Sequence, residues 1–351
     1  MINRKLTKKI RVGNIFIGGD APIPVQTMIK SDAHDVDAVV KEILRTEDVG
    51  CEITRMGVLD MESVKNFSKI KKQIHIPIVA DIHFDYRLAI EAIKQGVDKL
   101  RINPGNIGDI SNVKKVVNLA KERGVPIRIG VNAGSLEKDI LEKNNGHATA
   151  AGLVESASRH IKILEDLNFD QTIVSLKASD IAMTVEAYNL FSQKYDYPLH
   201  IGITEAGTNW SGTIKSSIGI GSLLLDGIGD TLRVSLTADP TLEVRTGWEI
   251  LKNLEIRDRG PRLISCPTCS RTQYDLFALV KQVEEYLATL DKSIKVAVMG
   301  CVVNGPGEAR EADVGVAGGK DCGILFSKGK ILKTIPESDM FFELKKLIEQ
   351  F

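Results

Sequence analysis

Short runs of β-branched and other apolar residues alternate with segments of helical periodicity along roughly the first 250 residues. Each run ends near a polar residue or a glycine and is followed by apolar positions three or four residues apart, which predicts repeated strand–helix units. The predicted strands are 23–28, 51–56, 76–83, 98–103, 126–132, 171–177, 198–204 and 230–236. The predicted helices include 35–48, 86–95, 109–123, 152–167, 180–194 and 240–253.

Eight strand–helix units in about 250 residues match the size of a closed (β/α)8 barrel of the TIM type. An open, doubly wound sheet is the main alternative, but such a sheet does not normally need eight regular units. We therefore predict a barrel with a parallel sheet inside and helices outside. Residues 1–20, which contain IRVGNIFIGGDAP, precede the first unit and predict a small hairpin that covers one end of the barrel.

A second, smaller domain is predicted at the C-terminal end of the chain. The stretch around 254–262 is charged and contains Gly260 and Pro261, a composition typical of a linker. Beyond it, residues 272–289 have the helical pattern, and strands are predicted near 294–299 and 323–326. The sequence thus predicts an α/β protein, with a TIM-type barrel over residues 1–255 and a small α/β domain over residues 262–351.

The charge composition argues against several classes of partner. Lysine and arginine number 46, and aspartate and glutamate also number 46, so the formal net charge is zero. A balanced chain has no general electrostatic reason to bind nucleic acid or an anionic membrane. No secretory signal is visible, and no apolar run reaches the roughly 18 residues of a membrane span. The five cysteines are irregularly spaced, unlike a disulfide framework, so we expect a cytoplasmic protein.

Three of the cysteines lie in the C-terminal domain in a pattern that indicates a metal centre. Cys266 and Cys269 form a C-x-x-C pair, and Cys301 follows on a glycine-flanked turn. Three thiolates leave a four-iron cluster one protein ligand short. Glu308, which follows the sequence NGPG, is the candidate fourth ligand, and its oxygen would hold iron less firmly than sulfur does. Spacing alone leaves zinc, or a redox-active cysteine pair, open as alternatives.

The other two cysteines are expected to be structural. Cys51 lies in the apolar register of the second predicted strand, and Cys322 has no chemical partner close to it in the sequence. The histidines at 83, 147 and 200 are too scattered to predict a metal site.

Polar side chains follow most of the predicted barrel strands, at the end where active sites of such barrels lie. Five of them are cations, and burying five cations together is unfavourable unless they share an anion. Guanidinium forks fit phosphate oxygens, and glycine-rich turns add backbone N–H donors. We therefore predict a small substrate with more than one negative charge, most simply a diphosphate. The cations are Arg55, Arg101, Arg128, Lys177 and Arg233, and their polar neighbours are Asp81, His83, Asn132, Thr204, Glu205 and Ser235.

Eight long motifs carry a resemblance to a known family: ADIHFDYRLA, KLRINPGNIG, PIRIGVNAGSL, VSLKASD, GITEAGT, IGIGSLLLDGIGDTLRVSL, ISCPTCSRTQ and VMGCVVNGPGEAREADVGVAGG. In these motifs the chain closely resembles the bacterial 4-hydroxy-3-methylbut-2-enyl diphosphate synthases of the non-mevalonate isoprenoid pathway. The resemblance spans essentially the whole chain, and no motif departs from the family pattern.

The resemblance implies an iron–sulfur oxidoreductase. Its reaction is the two-electron, reductive opening of 2-C-methyl-D-erythritol 2,4-cyclodiphosphate, with loss of water, to the allylic diphosphate. The implied cofactor is a [4Fe–4S] cluster on Cys266, Cys269, Cys301 and Glu308, and Glu308 counts among the catalytic residues. Glu205 is expected to face the reacting carbons and to transfer a proton. The matching substrate-binding positions are Arg55, Arg101, Arg128, Asn132, Lys177, Thr204, Arg233 and Ser235.

Partners follow from the same resemblance. It implies a homodimer in which the cluster domain of one chain caps the barrel of the other. Flavodoxin or ferredoxin is expected to supply electrons, since no flavin or nicotinamide motif is visible in the sequence.

Two alternatives predict other properties. A pterin- or corrinoid-linked barrel enzyme with structural zinc would be a colourless protein. A cluster-containing electron carrier without its own catalysis would leave the cations at the barrel mouth unexplained.

Overall fold

The computed structural model describes residues 2–302, 307 and 309–351. The chain divides into two compact units, Met1–Arg257 and Asp258–Phe351, and each unit has its own hydrophobic core. The first unit is a barrel of parallel strands surrounded by helices, and the second is a mixed sheet with helices packed on it.

The barrel contains eight strands, all of them within residues 2–302. Six form one parallel sheet in chain order, and the last two pair in parallel with each other. Parallel bridges join Val174 to Leu199 and Val25 to Leu232, so the ring closes between its first and last strands. The strands are β3 (Gln26–Met28), β4 (Ile53–Gly57), β5 (Ile78–Asp81), β6 (Lys99–Ile102), β7 (Ile127–Asn132), β8 (Thr172–Lys177), β9 (His200–Ile201) and β10 (Thr231–Leu232).

The helices of the first unit follow these strands and cover the outside of the barrel. Asp35, Asp109 and Asp180 cap three of them by accepting N–H bonds of the first turn, so these helices begin at fixed points after the strands. The helices are α1 (Val36–Asp48), α2 (Met61–Lys65), α3 (Phe67–Lys71), α4 (Tyr86–Lys94), α5 (Ile110–Arg123), α6 (Lys138–Lys143), α7 (Ala150–Asp166), α8 (Ile181–Lys194), α9 (Asn209–Leu225) and α10 (Pro240–Asn253).

An N-terminal hairpin closes the amino end of the barrel. Strands β1 (Ile10–Val12) and β2 (Ile15–Ile17) pair antiparallel, as predicted for this segment. Their apolar side chains form one buried cluster with residues of β4, β5 and β8: Ile10, Val12, Ile17, Ile53, Val79 and Ile173. Because this end is plugged by apolar side chains, polar chemistry is confined to the rest of the barrel interior and to the carboxyl ends of the strands.

The second unit has a five-stranded sheet. Its strands are β11 (Arg262–Ser265), β12 (Lys295–Met299), β13 (Val314–Gly319), β14 (Cys322–Ser327) and β15 (Lys330–Pro336), adjacent in that order. The first three are parallel, and the last two run antiparallel to their neighbours. Helices α11 (Leu276–Leu287) and α12 (Met340–Glu349) pack their apolar residues into a common core with the sheet.

The prediction of a TIM-type barrel followed by a small α/β domain is confirmed. Each predicted barrel strand overlaps an observed one, and the predicted helix at 272–289 corresponds to α11. The prediction did not name α2, α3, α6, α12, β11, β13 or β15, and it placed Gly219 and Gly221 in a helical stretch, now α9, without giving its bounds.

Candidate functional site

The register of the barrel strands brings three charged side chains into one row. Asp81 on β5 lies opposite Arg101 on β6, and Arg101 lies opposite Arg128 on β7. Residues paired in this way point to the same side of a sheet. All three are buried, and Asp81 shares its strand face with Val79, which packs against the N-terminal hairpin at the end of the barrel, so the row faces the interior.

Asp81 holds two of the predicted cations. Its Oδ1 atom accepts a hydrogen bond from Arg101 Nη1 at 3.0 Å, and its Oδ2 atom lies 3.5 Å from Arg55 Nε. His83, two residues further along, lies 3.7 Å from the same carboxylate. Burial alone would raise the pKa of Asp81, but the charges of Arg55, Arg101 and Arg128 outweigh it and lower that pKa to about 2. Asp81 is therefore a permanent anion between two guanidinium groups.

Neighbouring backbone and amide groups fix the Arg101 side chain further. Arg101 Nη2 donates to the carbonyl of Gly130 at 2.9 Å, and a Cβ atom on Gly130 would lie 2.3 Å from Arg101 Nε. Only glycine therefore leaves room for this guanidinium. With its amide oxygen turned towards Arg101, Asn132 accepts from Nη2 at 3.2 Å. Asn103 accepts from the Gly130 N–H at 3.0 Å.

Arg128 and Lys177 have no carboxylate partner within the described ranges 2–302, 307 and 309–351. Arg128 is 1% exposed, and its Nη1 atom donates to Ser175 Oγ at 3.0 Å, while Nε and Nη2 have no hydrogen-bond acceptor. Lys177 is buried, and a Cβ atom added to Gly202 would lie 2.8 Å from its Nζ atom. Burial lowers the pKa of both groups, and the surrounding arginines lower it further. These two cations are the part of the site that an anionic ligand would stabilise most.

Arg233 is held by a carboxylate that the sequence interpretation missed. Glu243 on α10 is fully buried, and its Oε2 atom lies 3.4 Å from Arg233 Nη2. The same carboxylate accepts from Thr27 Oγ1 at 2.7 Å and from the Leu236 N–H at 3.0 Å, and it pairs with Lys30 at 3.1 Å. The sequence did contain a signal for this residue, because Glu243 is an acidic residue on the otherwise apolar face of α10.

Three further predicted residues follow the last two barrel strands. Thr204 and Ser235 are half-buried, and Glu205 is exposed. Glu205 has a φ of 51°, in the left-handed region that a non-glycine residue rarely adopts. Such strain tends to occur at functional positions. Glu205 thus combines an uncommon backbone conformation with an exposed side chain in the loop after β9.

The interior also contains polar groups that the sequence interpretation did not assign to the site. Lys99, Gln26 and His200 are all fully buried. Neither the Lys99 amine nor any polar side-chain atom of Gln26 and His200 has a hydrogen-bond partner in the described part of the chain. Lys99 was detectable, because it lies two residues before Arg101 and therefore on the same face of β6.

In the second unit, two of the predicted cluster ligands follow adjacent parallel strands. Cys266 comes directly after β11, and Cys301 comes two residues after the end of β12. The Gly300 N–H lies 3.1 Å from Cys266 Sγ, and a Cβ atom there would lie 3.0 Å from that sulfur and 2.6 Å from Thr272 Oγ1. The glycine before Cys301 therefore keeps the turn close to the first thiol.

The third cysteine, Cys269, is exposed, and its carbonyl accepts from the Thr272 N–H at 3.0 Å. Glu308 lies outside the described residues. Within them, no three His, Cys, Asp or Glu side chains converge in a group able to hold a metal ion. The donor chemistry nevertheless fits an iron–sulfur cluster, since Cys266, Cys269 and Cys301 are not joined in disulfides and two of them follow the carboxyl ends of neighbouring parallel strands.

The remaining cysteines differ in their surroundings. Cys51 is buried in the barrel core, and burial raises the pKa of its thiol to about 12, which is consistent with the predicted structural role. Cys322 begins β14 and is half-buried and free.

Comparison with known proteins settles the family. Residues 7–248 match the GcpE TIM-barrel domain, and residues 262–350 match the GcpE protein C-terminal domain. The chain belongs to the GcpE family. The resemblance seen in its motifs is confirmed, and so is the prediction that it is an enzyme.

Relatives within the GcpE family match along almost their whole length. A protein of Clostridium perfringens named 4-hydroxy-3-methylbut-2-en-1-yl diphosphate synthase (flavodoxin) is 55% identical over 99% of both chains. A protein of the same name from Bacillus cytotoxicus is 56% identical over 99% of this chain and 94% of its own.

Solved structures share the barrel at low sequence identity. Dihydropteroate synthase of Yersinia pestis matches with a TM-score of 0.51 and 11% identity, over 70% of this chain and 97% of its own. The N-acetylneuraminic acid synthetase of Leptospira borgpetersenii matches with a TM-score of 0.51 and 14% identity, over 72% of this chain and 90% of its own. At this identity the likeness shows the fold alone, so it lends no support to a pterin-linked activity. No helix among the described residues is long and apolar enough to cross a membrane.

Proposed function

We propose that this chain catalyses the reductive opening of 2-C-methyl-D-erythritol 2,4-cyclodiphosphate to 4-hydroxy-3-methylbut-2-enyl diphosphate. The doubly ionised ring compound takes up two electrons and one proton, and yields the triply ionised diphosphate and water. The observation that carries the proposal is a pair of buried cations, Arg128 and Lys177, that have no carboxylate partner among the described residues and lie inside the barrel of a GcpE-family chain. The names of its relatives supply the reaction.

The diphosphate is proposed to bind across the row of cations. Arg55 and Arg101 are already oriented by Asp81, so little side-chain freedom is lost when a ligand arrives. The substrate would be the anionic partner of Arg128, two of whose nitrogen atoms lack an acceptor in the described part of the chain, and of the buried Lys177. Arg233, held by Glu243, would contact the substrate together with Thr204 and Ser235, and Asn132 would contact it from beside Arg101.

Ring opening places a new negative charge on the phosphate oxygen that leaves carbon. Cations aimed at that oxygen stabilise the charge as it develops, and the buried setting strengthens the interaction. Loss of the hydroxyl group as water requires a proton. Glu205, in the loop after β9, is the proposed donor of that proton to the departing oxygen.

Cys266, Cys269, Cys301 and Glu308 would hold the [4Fe–4S] cluster. When bound, the cluster supplies the two electrons one at a time. We propose flavodoxin as the source of these electrons, as in the names of the relatives, with ferredoxin as an equivalent carrier. The proposal includes a cytoplasmic location.

The proposal also includes a homodimer in which the cluster domain of one chain serves the barrel of its partner. Mixing two variants, Arg128→Met and Cys301→Ser, tests this arrangement at a substrate concentration that saturates the parent but lies well below the KM of Arg128→Met. Exchange of subunits should restore about a quarter of the parent activity, because half the molecules are mixed dimers with one intact site. No recovery after proven subunit exchange would contradict the arrangement.

The cluster is tested by iron, zinc and sulfide analysis of the full chain after anaerobic reconstitution. We expect about four irons and four sulfides per chain. Cys301→Ser should lower both, and the matched control Cys322→Ser should lower neither, since Cys322 is not a proposed ligand. A Mössbauer spectrum should show one iron with an oxygen-ligated signature that Glu308→Ala removes. Stoichiometric zinc without sulfide would contradict the proposal and favour the structural-zinc alternative.

A further inference from the structure

Lys99 is a buried amine inside the barrel for which the proposed reaction has no role so far. It lies on β6 two residues before Arg101, so both side chains face the interior. Its side chain is 0% exposed, and its Nζ atom has no hydrogen-bond partner within residues 2–302, 307 and 309–351. Moving an ammonium ion from water into such a place without a partner is strongly unfavourable.

The groups around Lys99 make the charged form still less favourable. Burial lowers the pKa of the Lys99 amine, and the charges of Arg128 on β7 and Arg55 on β4 lower it further. Lys99 in turn disfavours a proton on His200 of β9. Among the described residues, the carboxylate of Asp98 acts in the opposite direction, but it already pairs with Lys71 at 2.7 Å and accepts from a backbone N–H. Nothing described near Lys99 therefore neutralises a positive charge.

The charge around the Lys99 amine changes when the substrate enters the barrel. Each phosphorus of a cyclic diphosphate carries one ionised oxygen, and the opened product carries one more. Against this anion the barrel presents Arg55, Arg101, Arg128, Lys177 and Arg233, of which the carboxylates Asp81 and Glu243 already engage three. A dianion beside a neutral amine favours protonation of that amine, because opposite charges attract strongly where water is excluded.

We propose that Lys99 is uncharged in the free enzyme and takes up a proton from solvent when the diphosphate binds, so that substrate binding is linked to proton uptake. The step adds one proton to the amine and moves no electrons. The inference rests on the proposed function, because it requires that a diphosphate occupies the barrel. Lys99 would therefore add a positive charge beneath the row of arginines only when the diphosphate is bound.

The linkage has a definite sign. An amine that is neutral when free and charged in the complex makes affinity highest at low pH. Affinity then falls by about tenfold per pH unit between the two pKa values of the amine, and becomes flat again above the higher one. Lys177 and His200 also lie in this interior, so the contribution of Lys99 must be measured as a difference.

The experiment is calorimetric titration of the anaerobic, cluster-loaded, full-length protein with the cyclic diphosphate, without reductant, so that the ligand binds but is not converted. Titrations in buffers of different ionisation enthalpy give the number of protons taken up. We expect Lys99→Met to take up about one proton fewer than the parent. The matched control is Lys94→Met, which removes an exposed lysine of α4 and should leave the uptake unchanged.

Equal proton uptake by the parent and by Lys99→Met would overturn the inference. Lys99→Gln, which is also neutral and of similar length, repeats the test if the methionine variant does not fold. If the parent protein fails to bind the cyclic diphosphate at all, the proposed function itself is overturned. The two failures are therefore distinguishable by whether the parent binds.

Discussion

The Asp81 carboxylate accepts a hydrogen bond from Arg101 at 3.0 Å, and both side chains are buried inside the barrel. Asp81 therefore orients a guanidinium group before any ligand arrives. The same carboxylate lies 3.5 Å from Arg55, so one anion determines where two of the proposed diphosphate-binding cations lie. Arg128, the next residue in the row, has no such carboxylate in the part of the chain that the structure covers.

Asp81→Asn should weaken both folding and catalysis. Breaking a buried ion pair by removing one partner costs about 3–5 kcal/mol of unfolding free energy. We also expect kcat/KM for the cyclic diphosphate to fall by about tenfold or more, because Arg55 and Arg101 lose their orientation. Urea unfolding and an anaerobic rate assay measure the two effects. The control is Asp139→Asn, which removes an exposed ion pair with Arg159 and should change neither.

The pH dependence of this contribution follows from the lowered pKa of Asp81, about 2. The stabilisation is fully present above the unfolded pKa of about 4, and is lost as the pH falls through about 2. The parent should therefore lose stability relative to Asp81→Asn only in strong acid. An equal difference in unfolding free energy at every pH between 2 and 7 would contradict this assignment.

Gly130→Ala should displace the Arg101 guanidinium, because the added Cβ would lie 2.3 Å from Arg101 Nε. Backbone atoms cannot yield as a flexible side chain can, so Arg101 must leave its contacts with Gly130 and Asp81. We expect KM to rise by about tenfold or more. The control Gly134→Ala adds the same methyl group a few residues later, where no atom lies within 4 Å. Similar kinetics for both variants would argue against a role for the Arg101 position.

Glu205 combines a strained backbone with a proposed proton transfer, and two substitutions separate these properties. Glu205→Gln keeps the left-handed conformation and should lower kcat by about 100-fold or more while KM changes little. Glu205→Gly should also abolish turnover but raise the unfolding free energy by about 0.5–1 kcal/mol, because glycine adopts a φ of 51° without strain. Turnover of Glu205→Gln near the parent rate would eliminate the proton-transfer role.

Arg128→Met should make the protein more stable and less able to bind its substrate. The guanidinium is buried, and two of its nitrogen atoms have no partner among the residues that the structure describes, so an apolar side chain of similar length should raise the unfolding free energy by about 1–3 kcal/mol. Affinity for the cyclic diphosphate should fall by about 10- to 100-fold, because a charge-assisted contact is lost. The exposed Arg123 of α5 provides the control, since Arg123→Met should change neither quantity appreciably. A less stable variant with unchanged affinity would mean that Arg128 is purely structural.

The sequence predicted the barrel because each strand is a continuous apolar run and each helix has an apolar stripe. The sequence also predicted that Arg101 and Arg128 lie together near the same ends of the barrel strands, and the structure places them opposite one another on β6 and β7. The binding roles of these residues stay predictions. Strands β13 and β15 were missed for physical reasons: β13 is glycine-rich, with Gly318 leaving space for the Tyr274 ring, and β15 is an exposed edge strand without alternation.

Contacts that form only when the barrel closes could not be predicted from the sequence pattern. Glu243 reaches Thr27 and Arg233 only because β10 returns to the side of β3, which no local periodicity reveals. Lys99 shares the face of Arg101, but it was not predicted as a site residue, because the prediction used the residues near the carboxyl ends of the strands and Lys99 begins β6. That its amine lacks a partner is visible only in three dimensions.

The most direct test of the account is a single-turnover reaction of the cluster-loaded, full-length protein. The protein, in excess over 2-C-methyl-D-erythritol 2,4-cyclodiphosphate, is supplied anaerobically with a chemical one-electron donor that stays present, because a cluster holds one electron at a time and each turnover needs two. The account predicts that 4-hydroxy-3-methylbut-2-enyl diphosphate forms, with one product molecule for every two electrons consumed, and that Arg128→Met forms little of it. Unchanged cyclic diphosphate, in a protein that holds iron and sulfide and has accepted electrons, would contradict the account.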